Sequence, residues 1–147
     1  MRYARLLVCG LAALAAACQT IPASSPYAGA PPGLPSTPLE LGNWENGSVG
    51  AVLRQFETNV GRRYGAGLPL TAAAADLRRN DFNCSENRDT TRGSPPDQIC
   101  RRTVTANGCT HTWQVHLFDD NDNGILLRPR GLYDRRCGDD GLLGGPS

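Results

Sequence analysis

Four cysteines and two histidines in the second half of the chain are the side chains whose types could bind a metal or form a covalent bond. No cysteine spacing forms a CxxC pair, and His111 and His116, five residues apart on a predicted strand, face opposite sides of it. The sequence therefore predicts no metal site. Four cysteines are an even set, which in an exported chain predicts two disulfide bonds. They are Cys84, Cys100, Cys109 and Cys137.

The acidic residues and the histidines form no recognisable catalytic pattern. The sequence contains no Gly-x-Ser-x-Gly nucleophile elbow and no HExxH zinc motif. His111 is predicted to point into the core and His116 toward solvent, while Glu57 and Asp76 are predicted to be ordinary surface charges on helices. We therefore predict that the protein is not an enzyme, has no catalytic residues and needs no cofactor.

The segment "DDNDNG" has the spacing of a calcium-binding loop. Asp119, Asn121 and Asn123 alternate along it and are followed by Gly124. The position that should carry a bidentate glutamate is Arg130 instead. Because Asn-Gly suits the positive φ angles of a tight hairpin turn, a turn is the favoured interpretation.

Arginine supplies every basic side chain of this protein. There are 15 arginines, no lysine and 14 acidic residues, a near balance that argues against nucleic acid as a partner. Several arginines fall on two predicted strands and could bind phosphate or carboxylate groups bidentately. The alternative is a solvated sheet face with acidic neighbours. The candidate interaction residues are Arg101, Arg128, Arg130 and Arg135.

Cys18 stands at the end of an apolar run that follows Arg2 and Arg5. The run is about a dozen residues long, which is shorter than the roughly 20 that a membrane-spanning helix needs. A basic start, an apolar centre and three alanines before the cysteine are typical of a secretory signal. The ending resembles a bacterial lipobox, in which the cysteine thiol is acylated. We predict a signal peptide over residues 1–17 and lipid attachment at Cys18, with cleavage after an alanine and no lipid as the alternative.

Anchoring in a lipid bilayer follows if Cys18 is acylated. Stable anchoring needs two or more acyl chains, and the resemblance to bacterial lipoproteins implies three. The same resemblance implies the outer membrane, because Gln19 stands where an aspartate would retain the protein in the inner membrane. Residues 18–47 are rich in Pro, Ala and Ser and are predicted to form an extended tether.

One small folded domain is predicted over residues 48–137, followed by a flexible tail over residues 138–147. The spacing of apolar residues from Val49 to Tyr64 predicts a helix with Ser48 as its N-cap. A second, alanine-rich helix is predicted to begin with Thr71 as its N-cap.

Three antiparallel strands are predicted after the helices, over about residues 99–106, 109–118 and 125–135. Asn-Gly dipeptides at 107–108 and 123–124 would form the two hairpin turns of this meander. The turns place Cys100 opposite Val115 and bring Cys137 close to Cys109. We therefore predict an α+β domain with disulfides Cys109–Cys137 and Cys84–Cys100.

The arrangement of lipobox, tether, two helices and three strands resembles the small outer-membrane lipoproteins of the BamE type, also called the SmpA/OmlA domain. The segments "GAGLPLTAAAADL" and "TWQVHL" carry the resemblance, which covers roughly residues 64–137. The Leu-Gly-x-Pro usual in that family is replaced by "RRNDFNC", and four cysteines are added. "DFNC" and "YDRRC" also resemble segments of other small envelope lipoproteins of uncharacterised activity.

We predict that the protein is a membrane-anchored periplasmic lipoprotein that acts as a non-enzymatic interaction module in the envelope. Its expected partners are the lipid bilayer, through acylated Cys18, and an envelope protein or lipid head group bound by the sheet face or a strand edge. The alternative is an inhibitor of a hydrolase, either a protease or lysozyme, with the loop over residues 85–99 as the inhibitory element.

Overall fold

The computed structural model describes residues 30–88 and 93–138, which form an α+β domain with two helices on one face of an antiparallel sheet. Helix α1 spans Val49–Arg63 and α2 spans Leu70–Arg79. The strands are β1 Asn83–Glu86, β2 Gln98–Ala106, β3 Cys109–Phe118 and β4 Arg128–Cys137. They lie in the order β1-β2-β3-β4. The predicted class is confirmed, but the sheet has four strands rather than three. The predicted signal peptide, Cys18 and residues 139–147 lie outside the described residues.

Helix α1 forms as its apolar spacing predicts. The side chain of Ser48 accepts a hydrogen bond from the backbone N–H of Ala51, as an N-cap does. Val52, Phe56 and Val60 are fully buried against the sheet. The helix therefore contributes one continuous apolar face to the core.

Helix α2 begins two residues earlier than predicted. Its N-cap is Pro69, which makes no side-chain cap bond, and Thr71 lies inside the helix. The N–H of Leu70 bonds to the carbonyl of Gly124, so a tertiary contact replaces the predicted side-chain cap. Ala73 and Ala74 are fully buried, which allows the helix to approach the sheet closely.

Strand β1 is the strand that the sequence prediction missed. It pairs antiparallel with β2, and Cys84 lies opposite Cys100. Its residues "NCSE" are mostly exposed and show no apolar alternation, so the segment reads as a polar loop. The predicted turn at Asn107-Gly108, in contrast, is confirmed, with φ angles of 51° and 75° and Cys100 opposite Val115.

The second predicted hairpin turn, at Asn123-Gly124, is wrong. Strands β3 and β4 are joined by a nine-residue loop over residues 119–127. Leu126 of this loop is fully buried and exchanges backbone hydrogen bonds with Gly67 and Leu68 of the connection between the helices. The loop is therefore held by the helical layer rather than by a tight turn. The resulting register places Cys137 directly opposite Cys109, whereas the predicted turn would place it near Thr110, the next residue.

Within the part of the chain that the structure describes, two disulfide bonds join neighbouring strands. They are Cys84–Cys100, between β1 and β2, and Cys109–Cys137, between β3 and β4. These are the two pairs that the sequence predicts. Cys100 is fully buried in the core, whereas Cys109 and Cys137 are half-buried at the end of the sheet.

The segment before α1 packs on the domain, so the folded part begins earlier than the predicted boundary at residue 48. We call residues 34–47 the strap. Leu34 and Leu39 are buried, and the indole N–H of Trp113 donates to the carbonyl of Leu41 at 3.1 Å. Trp44 packs edge-on against Trp113, with ring centroids 5.6 Å apart. Apolar contacts outweigh the proline-rich composition here, so residues 34–47 of the predicted tether belong to the folded domain.

Gly131 lies where α1 packs closely on β4. A Cβ atom at this position would lie 3.0 Å from Glu57 Cα and 3.2 Å from Phe56 Cδ1. We expect Gly131→Ala to destabilise the fold by about 1–3 kcal/mol, because the helix must move away from the strand. Urea denaturation would measure the loss. Gly61→Ala is the control, since nothing lies within 4 Å of its Cβ and we expect a gain of up to about 1 kcal/mol. Equal effects of the two substitutions would contradict the packing argument.

Candidate functional site: the open face of the sheet

The two faces of the sheet differ in what covers them. The helices and the strap cover one face, which presents His111, Trp113, Val115 and Leu117 of β3, all buried. Strand alternation places Thr110, Thr112, Gln114 and His116 on the other face. Within residues 30–88 and 93–138, no helix or strand packs on this second face. We call it the open face.

The structure brings three of the four predicted interaction residues to the open face. Arg130 lies opposite His116, and Arg101 lies opposite Gln114 on the other side of β3. Arg128 lies opposite Phe118, with its guanidinium 3.8 Å from the ring centroid. The three arginines therefore surround the end of β3 that carries His116 and Phe118.

Arg135 is the predicted interaction residue that the structure places elsewhere. It pairs with His111, on the face that the helices cover, and its Nη1 lies 3.4 Å from the carbonyl oxygen of Gly47, to which it donates. The reason is strand alternation. Arg135 lies an odd number of positions along the regularly paired strand from Arg128 and from Arg130, so its side chain points to the opposite face.

The arginines of the open face differ in their ionic partners. Arg128 lies 3.5 Å from Asp120, and Arg136 lies 3.1 Å from Asp134. Arg101 and Arg130 are exposed and have no acidic partner within the described part of the chain. Their guanidinium groups are therefore available to an anion from outside the molecule.

His116 lies between these two arginines. Partial burial and the positive charges of Arg130 and Arg101 lower the pKa of His116 below its ordinary value of 6.5. Its Nε2 lies 3.3 Å from Oε1 of Gln114. At neutral pH the imidazole is therefore neutral and can exchange hydrogen bonds, while the two arginines hold the charge.

A shallow groove of about 370 Å³ runs across the same face. Arg101 and Arg136 contribute the positive charge of its lining and Asp134 the negative charge. The remaining lining residues are uncharged hydrogen-bonding residues, namely Thr103, Thr110, Thr112 and Gln114. The groove can therefore donate to and accept from a polar ligand along its whole length.

The long edge of the sheet is less suited to binding than its open face. The Cα atoms of Cys109 and Cys137 are 4.0 Å apart, which marks a pair that exchanges no backbone hydrogen bonds. Such pairs occur at every second residue of β4, so Gly131 is also in a pair without backbone hydrogen bonds, and its N–H and C=O point away from β3 toward the open edge. Gly131 is buried beneath α1. Pro129, which has the same orientation in the strand, has no N–H to donate. An added strand would therefore find these positions blocked.

A larger groove of about 700 Å³ lies between the strap and the outer side of α1. Its amide side chains already hold the strap. Gln55 accepts a hydrogen bond from the backbone of Asn43 at 2.8 Å, and Asn59 donates to the carbonyl of Glu40 at 3.1 Å. We therefore assign this groove to the attachment of the strap rather than to a ligand.

In the loop with the spacing of a calcium site, the carboxylate of Asp119 binds backbone groups of the same loop. Asp119 accepts hydrogen bonds from the backbone N–H groups of Asn121 and Gly124. This arrangement stabilises the turn and leaves the carboxylate facing the loop's own backbone. No group of three or more His, Cys, Asp or Glu side chains that could hold a metal ion occurs in the described residues.

Asp76 is the residue whose environment the sequence prediction missed. It is fully buried, not a surface charge as predicted. Arg63 donates to both of its carboxylate oxygens, at 2.7 and 3.1 Å, and the hydroxyl of Tyr64 donates at 2.8 Å. Burial and the Asp76 carboxylate raise the pKa of Tyr64 far above its ordinary value. Asp76 stands among alanines on α2, so the local pattern contains no signal that its partners come from α1.

His111 is buried, as predicted. Its Nδ1 lies 2.7 Å from the hydroxyl oxygen of Tyr133, and its ring packs against Trp44 with centroids 4.9 Å apart. Burial and the charge of Arg135 lower its pKa. These contacts show that His111 packs among aromatic side chains of the core.

We expect the free energy of unfolding to fall as the pH is lowered from about 7 to about 5.5. The pKa values of His116 and His111 are below 6.5 in the folded state. The unfolded chain, with ordinary histidine pKa values, therefore binds more protons as the pH falls below about 6.5. The contribution of these two histidines to the free energy of unfolding is therefore present above that pH and is lost as the pH falls.

Urea titrations at several pH values would measure this dependence. His116→Gln should flatten the profile in part, because His111 continues to titrate. Identical pH profiles for the wild type and His116→Gln would contradict the assignment to His116.

Comparison with known proteins gives no family assignment. The chain has no significant match among protein-family models, curated proteins or solved structures. Within the described residues, neither helix is both long and apolar enough to span a membrane.

Proposed function

We propose that this protein is a lipid-anchored, non-enzymatic interaction module of a bacterial envelope, and that the open face of its sheet binds an anionic partner. The observation that carries the proposal is the pair Arg101 and Arg130, exposed on a face that no described element covers and without acidic partners among the described residues. Arg63, in contrast, is held in a pair with the buried carboxylate of Asp76 and is not available to a ligand.

The proposed anchor is the acylated thiol of Cys18, on the periplasmic side of the outer membrane. Since the strap packs from Leu34 onward, residues 19–33 are the proposed spacer between the lipid and the domain. At roughly 3.3–3.6 Å per residue, this spacer would reach at most about 50 Å from the membrane. The domain would then operate close to the bilayer while its open face stays accessible.

Two measurements test the proposal. Intact-mass spectrometry of the protein from a bacterial envelope should show a chain that begins at Cys18 and carries acyl groups. A photoreactive amino acid at Thr112, on the open face, should cross-link to an envelope component in cells. The same amino acid at Thr58, exposed on α1, is the matched control. An unacylated chain, or cross-links from residue 58 alone, would contradict the proposal.

Inhibition of a hydrolase is the second candidate function. The disulfide Cys84–Cys100 joins β1 and β2 at the base of the connection between them, and the N–H of Asn87 bonds to the carbonyl of Asp97. A connection held in this way at its base is suited to insertion into an active site. The purified chain should then block lysozyme or a protease by itself, and Cys84→Ala/Cys100→Ala should weaken the inhibition.

A further inference from the structure

We infer that the open face binds a polymer that carries carboxylates together with amide and hydroxyl groups, which is the chemistry of bacterial peptidoglycan. The inference rests on the proposed function, because it names the partner of the same face. Three properties of the face support it: the two arginines without an acidic partner among the described residues, the hydrogen-bonding side chains that line the groove, and the shape of the surface.

The first property is the pair of arginines. Arg101 and Arg130 lie on either side of β3, with His116 and Gln114 between them. A guanidinium group binds a carboxylate through two parallel hydrogen bonds, so two separated arginines suit a ligand that presents carboxylates at intervals. Peptidoglycan presents such carboxylates on its peptide stems.

The second property is the lining of the groove. Thr103, Thr110, Thr112 and Gln114 offer hydroxyl and amide groups that both donate and accept hydrogen bonds. Amide and hydroxyl groups on a sugar–peptide polymer have the same dual capacity. Asp134, at one side of the groove, can accept from a hydroxyl or an ammonium group but would repel a uniformly anionic surface. A mixed polymer therefore fits this face better than a layer of anionic lipid head groups does.

The third property is shape. The four strands make a surface about 14 Å wide, and ten residues of β3 extend it to about 30 Å in length. The groove is open along this surface rather than enclosed. A long chain can lie across the surface and contact both Arg101, which lines the groove, and Arg130, which lies beside it, whereas a small free anion would engage one of them at a time.

Co-sedimentation with purified, insoluble peptidoglycan sacculi tests the inference. The full chain, purified from detergent-solubilised envelopes, should sediment with sacculi, and added salt should weaken the binding because the arginines are exposed. Arg101→Glu/Arg130→Glu should lower the affinity by at least about tenfold, since both attractive charges become repulsive.

The matched control is Arg54→Glu/Arg62→Glu, which makes the same charge change at two exposed positions of α1 on the opposite side of the domain. This control should bind sacculi as the wild type does. Circular dichroism verifies folding. Should the double glutamate variant fail to fold, Arg101→Gln/Arg130→Gln replaces it under the same criterion.

Each other outcome overturns the inference. Absence of sedimentation by the wild type, or equal loss in both double variants, rules out a specific polymer site on the open face. Binding to vesicles of phosphatidylethanolamine and phosphatidylglycerol, lost in Arg101→Glu/Arg130→Glu, without binding to sacculi would assign the face to lipid. That last result overturns the polymer but leaves the proposed function, which fails instead if Cys18 is unacylated or if residue 112 forms no cross-links.

Discussion

Asp76→Asn is expected to destabilise the protein by about 3–5 kcal/mol, more than any other single substitution discussed above. The carboxylate is fully buried and receives both arms of the Arg63 guanidinium together with the hydroxyl of Tyr64. An amide in its place keeps the shape but removes the charge, and its NH2 group faces donors. The guanidinium is then left buried without its counter-charge. Urea denaturation of the wild type and the variant measures the loss.

Asp81→Asn is the matched control for this prediction. Asp81 forms an ion pair with Arg102 at 3.5 Å, but its side chain is 75% exposed. Its φ angle of 64° is one that asparagine adopts readily. We therefore expect Asp81→Asn to cost no more than about 1 kcal/mol. Similar losses for the two substitutions would show that burial of Asp76 does not control the effect.

The Asp76 cluster also holds the strap, so a second measurement is available. Arg63 donates to the carbonyl of Pro35 at 3.1 Å, and Asn80, which bonds to the carbonyl of Asp76, accepts from the N–H of Leu39 at 2.6 Å. Loss of the carboxylate should loosen these contacts. We expect limited proteolysis to cleave Asp76→Asn within residues 34–44 faster than it cleaves the wild type.

Removal of the Cys109–Cys137 disulfide by Cys109→Ala/Cys137→Ala is expected to cost about 3–4 kcal/mol. The bond closes a loop with a sequence separation of 28 residues, and restriction of the unfolded chain grows with loop length. Both cysteines are half-buried, so alanine removes little packing and the cross-link accounts for most of the effect. The change in the urea midpoint at constant m-value measures it.

Hydrogen exchange locates the same effect in the structure. The disulfide joins the first residue of β3 to the last residue of β4. Arg136 and Asp134 occupy hydrogen-bonded positions of the β3–β4 pairing, which alternate with the position of Cys137. We expect their amide protons to exchange faster in the double variant. A loss below about 1 kcal/mol with unchanged exchange would show that β4 is held by its packing on α1 rather than by the cross-link.

Local signals were sufficient for part of this fold. The spacing from Val49 to Tyr64 specifies one buried helix face, and period-two alternation correctly assigns His111 and His116 to opposite faces of β3. Asn107-Gly108 forms the predicted turn because its positive φ angles need only those two residues. That turn also sets the register of β2 against β3 and thereby the position of Cys100.

The candidate site could be predicted only in part, because local signals do not show which residues lie close together in space. Arginines at 101, 128 and 130 were identified by type and by their place on strands. Their availability depends on which acidic groups lie nearby in space, and Arg128 proves to have Asp120 beside it while Arg101 and Arg130 have no such partner among the described residues. Ionic pairing between distant segments leaves no pattern in a single sequence.

The sequence by itself determined the α+β class, the apolar face of α1, the alternation of β3 and the turn that places Cys100, because each depends on residues close together in the chain. The pair Cys109–Cys137 was predicted correctly, but the register that joins it is set by the loop over residues 119–127 and not by the predicted turn. Tertiary structure alone decided the addition of β1, the long loop after β3, the packing of the strap, the burial of Asp76 and the exposure of the open face. The physical reason is that these features depend on hydrogen-bonding and packing partners that lie far away in the chain.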